Sequence, residues 1–171
     1  MSEETSAARG RWRRFAAWYS WVLSWLLVVS VAILIIPVSL QIFSRYTELI
    51  PSYIWTEEMA RFLFIWMIMI GAMVGVREGT HFEVDVWPQL GGRGGAALRI
   101  VSGIAVLVLA LVFLWYGIEF TRFAWNRFSE LAELPLWLIH LAWPLTGATW
   151  LVFQGERMLD DFGVLASGEP A

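Results

Sequence analysis

The sequence predicts an all-α integral membrane protein of four transmembrane helices with both termini in the cytoplasm. Three observations predict it. Hydrophobic residues fill 58% of the 171 positions and charged residues only 16%, far from the soluble average. The apolar residues collect into four long runs almost free of charge, and the arginines outside those runs are distributed unequally between the two ends they alternate between. The expected organisation is an N-terminal tail over 1–14, one membrane domain over 15–155 and an acidic tail over 156–171. Cysteine is absent, which excludes disulfides, thiolate metal sites and cysteine nucleophiles. All 12 basic residues are arginine, so lysine Schiff-base chemistry is excluded too. The net charge of -3 decides little, because in a membrane protein the placement of charge matters more than its sum.

The first apolar run, Phe15 to Ser44, has 30 uncharged residues and would extend roughly 45 Å as one helix, more than a bilayer needs. Part of it is therefore expected outside the span. Trp18, Trp21 and Trp25 recur at helical spacing and suit an interfacial start, with Arg11, Arg13 and Arg14 at the headgroups. The span proper is about 22–43, with Pro37 expected to kink it. A cleaved signal has a shorter apolar core, so an uncleaved signal anchor is expected. Arg13-Arg14 lacks the rest of a twin-arginine signal. Gln41 and Arg45 close the run on one face.

The second span, about 53–76, is the informative one. Its uncharged part, Phe62 to Val76, has 15 residues, roughly 22 Å of helix against a hydrocarbon core of roughly 30 Å. To cross, it must draw Glu57, Glu58 and Arg61 to the membrane edge, where an unpaired charge costs a few kcal/mol. A projection at 100° per residue places Glu57, Arg61, Phe64, Ile68, Gly71 and Gly75 within about 40° of one line. Arg61 can meet either carboxylate, at i,i+4 or i,i+3. Gly71-x3-Gly75 permits close helix approach. Such a face is expected to pack on protein, within the chain or on another subunit.

After Arg77, Phe82, Val84 and Val86 alternate with His81, Glu83 and Asp85, an amphipathic edge facing water or a subunit rather than a metal cluster. Gly91 to Gly95 has no P-loop spacing. The third span is 100–118, followed by an aromatic belt around Trp115, Phe120 and Trp125. The fourth is about 134–153, with Pro135 at its first turn and Pro144 inside. Gly155 to Ala171 shows no periodicity and is expected to be unstructured. Arg9, Arg11, Arg13, Arg14, Arg77, Arg93, Arg99 and Arg157 fall on one side and Arg45, Arg122 and Arg127 on the other, which puts both termini inside.

Chemistry is sparse. The two histidines, His81 and His140, lie near opposite membrane faces, which argues against a shared haem iron; His140 is expected to bond between helices. No polar groups interrupt Phe62 to Ile70, and no inverted repeat is visible, so a self-sufficient transport path is not expected. No cofactor and no nucleic-acid partner are expected, and membrane lipid is. Two other readings stay open. A membrane anchor or redox subunit would show itself in the visible absorption spectrum, and a stand-alone carrier by flux through the reconstituted chain.

The ordered set Gln41-x3-Arg45-Tyr46, Trp55-x-Glu57-Glu58-x2-Arg61, Trp66, Gly71 and His81-x3-Asp85 resembles the small membrane subunit of tripartite ATP-independent periplasmic (TRAP) transporters. Pro135 and Pro144 in the last helix are similar too. The detailed match covers Gln41 to Asp85. The resemblance implies a four-helix scaffold in a bacterial inner membrane, bound to a large multi-pass subunit that carries elevator-type transport machinery. It also implies a periplasmic solute-binding protein that delivers an organic acid, and uptake driven by sodium. Catalytic residues are not implied.

Overall fold

The computed structural model describes residues 2–47, 53, 55–78, 92–130 and 132–167. Helices account for nearly all of them: α1 Ser2–Tyr46, α2 Trp55–Glu78, α3 Gly92–Phe123, a single turn α4 Trp137–His140, and α5 Ala142–Ser167. Three stretches, Gly10–Tyr46, Trp55–Glu78 and Arg99–Phe123, are long and apolar enough to cross a membrane. The principal helix contacts run from α1 to α2, α2 to α5 and α5 to α3. The molecule is thus a row of helices with α1 and α3 at its outer sides, and both present wide apolar surfaces.

α1 is one 45-residue helix, in which the tryptophan-rich start runs on directly into the longer apolar stretch through Pro37. The reason lies in a seam. Ala16, Ser20, Leu23, Leu27, Ser30, Leu34, Pro37, Gln41 and Ser44 all have reduced exposure, and they alternate four and three residues apart as in a coiled coil. Trp18, Trp21 and Trp25 lie off this seam and are exposed.

The expected fourth span, about 134–153, is not among those three stretches. It is divided at Leu141 into α4 and α5, because Pro144 has no N–H to give the carbonyl of His140 and its ring crowds that turn. His140 does not bond between helices: its Nδ1 donates to the Leu136 carbonyl at 2.8 Å, one turn back in its own segment. α5 then continues to Ser167, through residues 155–167 that were expected to be unstructured.

The core lies along α5. Trp150 stacks on Phe113 with ring centroids 5.2 Å apart, and its indole N–H donates to the Ala72 carbonyl at 3.1 Å. The Tyr19 and Thr149 hydroxyls share a hydrogen bond of 2.8 Å, which satisfies both polar groups without water. The closest helix approach is not at Gly71, where an added Cβ would find Leu27 Cδ1 at an ordinary 3.8 Å. It is between α3 and α5. A Cβ on Gly117 would stand 2.6 Å from Pro144 N, and one on Gly147 would stand 2.6 Å from both Ala110 O and Leu114 N. Only a residue without a side chain fits there, the small-residue packing that apolar surroundings require.

Candidate functional site

The polar groups gather at the two ends of the row. At one end stand the first turns of α2 and the connection from α3 to α4. Glu57 and Arg61 form an i,i+4 pair at 3.6 Å, with side chains 70% and 62% exposed. Phe64 and Ile68, further along the same stripe, are exposed as well, while Gly71 is half-buried and Gly75 buried. The stripe read from the sequence is therefore covered by this chain only in its second half.

Glu58 has a different role from its neighbour. It is 9% exposed and accepts the Ala132 backbone N–H at 2.6 Å. That amide belongs to a tight hairpin in which Ser129 N–H donates to Leu134 O at 2.8 Å and Leu136 N–H to Arg127 O at 2.9 Å, with Phe128 opposite Pro135. Glu133 turns the chain with φ 52°, a left-handed conformation unusual for a residue with a side chain. Glu58 thus pins the hairpin to α2. Trp66 helps from one side, its indole N–H donating to the Leu138 carbonyl at 3.1 Å.

Removing the pin should be measurable. Glu58→Ala deprives a half-buried amide of its acceptor, a loss of about 1–3 kcal/mol, and should speed hydrogen exchange across residues 127–136. Glu58→Gln keeps an acceptor oxygen and should exchange close to wild type. Equal exchange in all three proteins contradicts the anchoring role.

The other predicted positions are less engaged. Arg45 is exposed, Trp55 is exposed beside Tyr53, and Gln41 keeps its Nε2 buried without a hydrogen-bond partner. His81 and Asp85 lie outside the described residues. A cavity of about 550 Å³ opens between α2 and the hairpin. Arg61, Arg127 and Glu130 line its polar side, and Phe62, Phe128 and Ile139 its apolar side.

The opposite end holds an ion-pair network that sequence reasoning missed. Arg13 of α1 meets Asp160 at 2.9 Å, Arg77 of α2 meets Glu156 at 2.9 Å, and Arg99 of α3 meets Asp161 at 2.7 Å. Arg157 donates to the Arg77 carbonyl at 2.6 Å, and the Arg77 guanidinium lies 5.3 Å from the Phe153 ring centroid. Less than two turns of α5 therefore tie down every other long helix. The signal was present as Glu156 and Asp160 at i,i+4 with Asp161 beside them, opposite one arginine at the end of each apolar run. Among the described residues no group of three or more histidine or carboxylate side chains is placed to hold a metal ion.

Residues 34–163 match the family model described as tripartite ATP-independent periplasmic transporters, DctQ component. A C4-dicarboxylate TRAP transporter small permease protein of Rhodobacter capsulatus is 33% identical over 130 residues, covering 74% of this chain and 56% of that protein. An isethionate TRAP transporter permease protein, DctMQ, of Oleidesulfovibrio alaskensis is 26% identical over 156 residues, 82% of this chain and 24% of that protein. The sialic acid TRAP transporter small permease protein of Vibrio cholerae is 28% identical over 116 residues, 67% of this chain and 65% of that one. The chain thus spans about half the length of the first relative and a quarter of the second.

Proposed function

This chain belongs to the DctQ component family of TRAP transporters, and from that premise we propose that it is the stationary small subunit beside a larger transport subunit. In this reading the complex takes up an organic acid across a bacterial inner membrane, driven by sodium and supplied by a periplasmic binding protein. The relatives' names include a C4-dicarboxylate, isethionate and sialic acid, all acids that are anionic at neutral pH. One relative carries a region like this chain inside a much longer permease protein, which supports a large membrane partner. The Arg13, Arg77, Arg99 and Arg157 end faces the cytoplasm, and the Glu57 end faces out.

The observation that carries the reading is the open half of the α2 stripe: the Glu57–Arg61 pair with Phe64 and Ile68 below it, uncovered by the chain itself. Lipid is a poor neighbour for such a charged pair. The buried, unpartnered amide of Gln41 and the exposed Arg45 stand at the same end, so the large subunit is expected to cover this region and supply acceptors. Trp55 extends the interface, whereas Gly71 and Gly75 are covered by this chain itself; His81 and Asp85 are assigned to the cytoplasmic edge.

Arg61→Ala tests this. In the isolated chain an exposed i,i+4 pair is worth about 0.3–0.5 kcal/mol, so thermal stability should hardly change. Under a partner, orphaning Glu57 costs about 3–5 kcal/mol, so capture of the large subunit should weaken roughly a hundredfold or more, with uptake falling accordingly. Removing both charges should be milder than removing one. Wild-type capture by Arg61→Ala would rule out a covered pair.

A further inference from the structure

The cavity between α2 and the hairpin straddles the level at which the uncharged run of α2 begins. Arg61 is the last charge before that run, and Phe62 is its first residue. Both line the cavity, with Ile139 of α4 beside Phe62 and with Arg127 and Glu130 on the hairpin side. One wall is therefore hydrocarbon in character and the other ionic, at the depth where the glycerol and phosphate of a phospholipid lie.

The ionic wall has an unusual state of pairing. The Arg127 guanidinium sits over the Phe123 ring, 3.9 Å from its centroid, a contact that fixes its position without neutralising its charge. Among the described residues neither Arg127 nor Glu130 has a counter-charge within 4 Å, and Arg61 holds Glu57 only at 3.6 Å. The hairpin that carries Arg127 and Glu130 is itself fixed by Glu58. The cavity thus presents a free cation and a free anion on a rigid support, two arginines and two glutamates in all, with an apolar floor.

We infer that this cavity binds the headgroup of a zwitterionic phospholipid, phosphatidylethanolamine in chemistry. The phosphate lies between Arg127 and Arg61, the ammonium is at Glu130, and the first methylenes run along Phe62 and Ile139. Arginine matches a phosphate through paired N–H donors. Basic pockets beside membrane helices are suited to lipid headgroups. The equal number of carboxylates disfavours a purely anionic ligand, which would leave Glu130 facing a second negative charge. A free organic acid or inorganic phosphate satisfies the arginines and leaves the apolar floor empty. The site needs only the membrane placement of α2, so it stands or falls separately from the transporter reading.

The test uses the full chain purified by itself, in nanodiscs of equal phosphatidylethanolamine and phosphatidylglycerol, followed by native mass spectrometry after extraction. One phosphatidylethanolamine is expected to remain per chain. Arg127→Ala should reduce its retention at least tenfold, Arg127→Lys should retain an intermediate amount, and Glu130→Gln should abolish the preference over phosphatidylglycerol. Excess inorganic phosphate or succinate should not displace it. Equal retention by wild type and Arg127→Ala, equal occupancy of both lipids in wild type, or displacement by phosphate or succinate each overturns the assignment. If Arg127→Ala cannot be recovered folded, Arg127→Lys and Glu130→Gln decide the question.

Discussion

Gly147→Leu should abolish recovery of folded protein, and Gly147→Ala should lower its stability by about 1–3 kcal/mol, the usual cost of overpacking. The atoms an added Cβ would meet are backbone atoms of α3, Ala110 O and Leu114 N, each at 2.6 Å. A side chain can rotate away from an intruder, but a helix backbone can only retreat as a unit. Separation of α3 and α5 would also loosen the stacking of Phe113 on Trp150. The gain of about 1 kcal/mol in helix propensity from Gly to Ala opposes the loss. Gly155 on the same helix isolates that gain, since a Cβ there meets nothing within 4 Å. Gly155→Ala should therefore be neutral or stabilising. Thermal unfolding of the three variants in one detergent checks the pair of expectations, and equal behaviour at positions 147 and 155 would remove the basis for close α3–α5 contact.

Glu156→Ala should destabilise the chain by about 3 kcal/mol, the lower end for breaking a buried ion pair. Glu156 is 13% exposed and Arg77, its partner at 2.9 Å, is 27% exposed, so water compensates only part of the loss. For a chain of this size that corresponds to a fall in melting temperature of roughly 6–12 °C. Arg13 keeps Asp160 at 2.9 Å, so α1 should stay attached, while α2 is left with the bonds of Arg157 to the Arg77 carbonyl and of Trp150 to the Ala72 carbonyl. Glu156→Ala combined with Arg77→Ala should be milder than Glu156→Ala alone, because no unpaired guanidinium is left at the membrane edge. Additive losses in the double variant would show that the two side chains act independently.

How much of this was legible in the sequence depended on contrast. The uncharged runs ending at Arg61, Arg77 and Arg99 located α2 and α3 closely, because charge against hydrocarbon is a strong signal. Within α1 the contrast vanishes. Its buried seam is made of Ala16, Ser20, Ser30, Pro37 and Gln41 as well as leucines, while its exposed faces carry Trp18, Ile35 and Ile36. In an apolar environment the side that packs is the small and polar one, so a search for a greasy stripe looks at the wrong face. Gly117 and Gly147 escaped for a related reason. Neither forms a GxxxG pair, and their tightness arises only when Pro144 and Leu114 are brought opposite them. Glu58 and Glu57 were indistinguishable until Ala132, 74 positions away, supplied a donor. The acidic end of α5 read as a tail because its partners, Arg13, Arg77 and Arg99, belong to three different helices.

The open stripe on α2 makes one demand, that something other than lipid cover Glu57 and Arg61. The most direct test is affinity purification of the tagged chain from its native membrane in mild detergent, with every co-purifying protein identified and quantified. A larger multi-pass membrane protein in fixed stoichiometry is the predicted result, lost when Arg61 is replaced by Ala. Recovery of the chain alone, stable and without any such companion, would contradict the account.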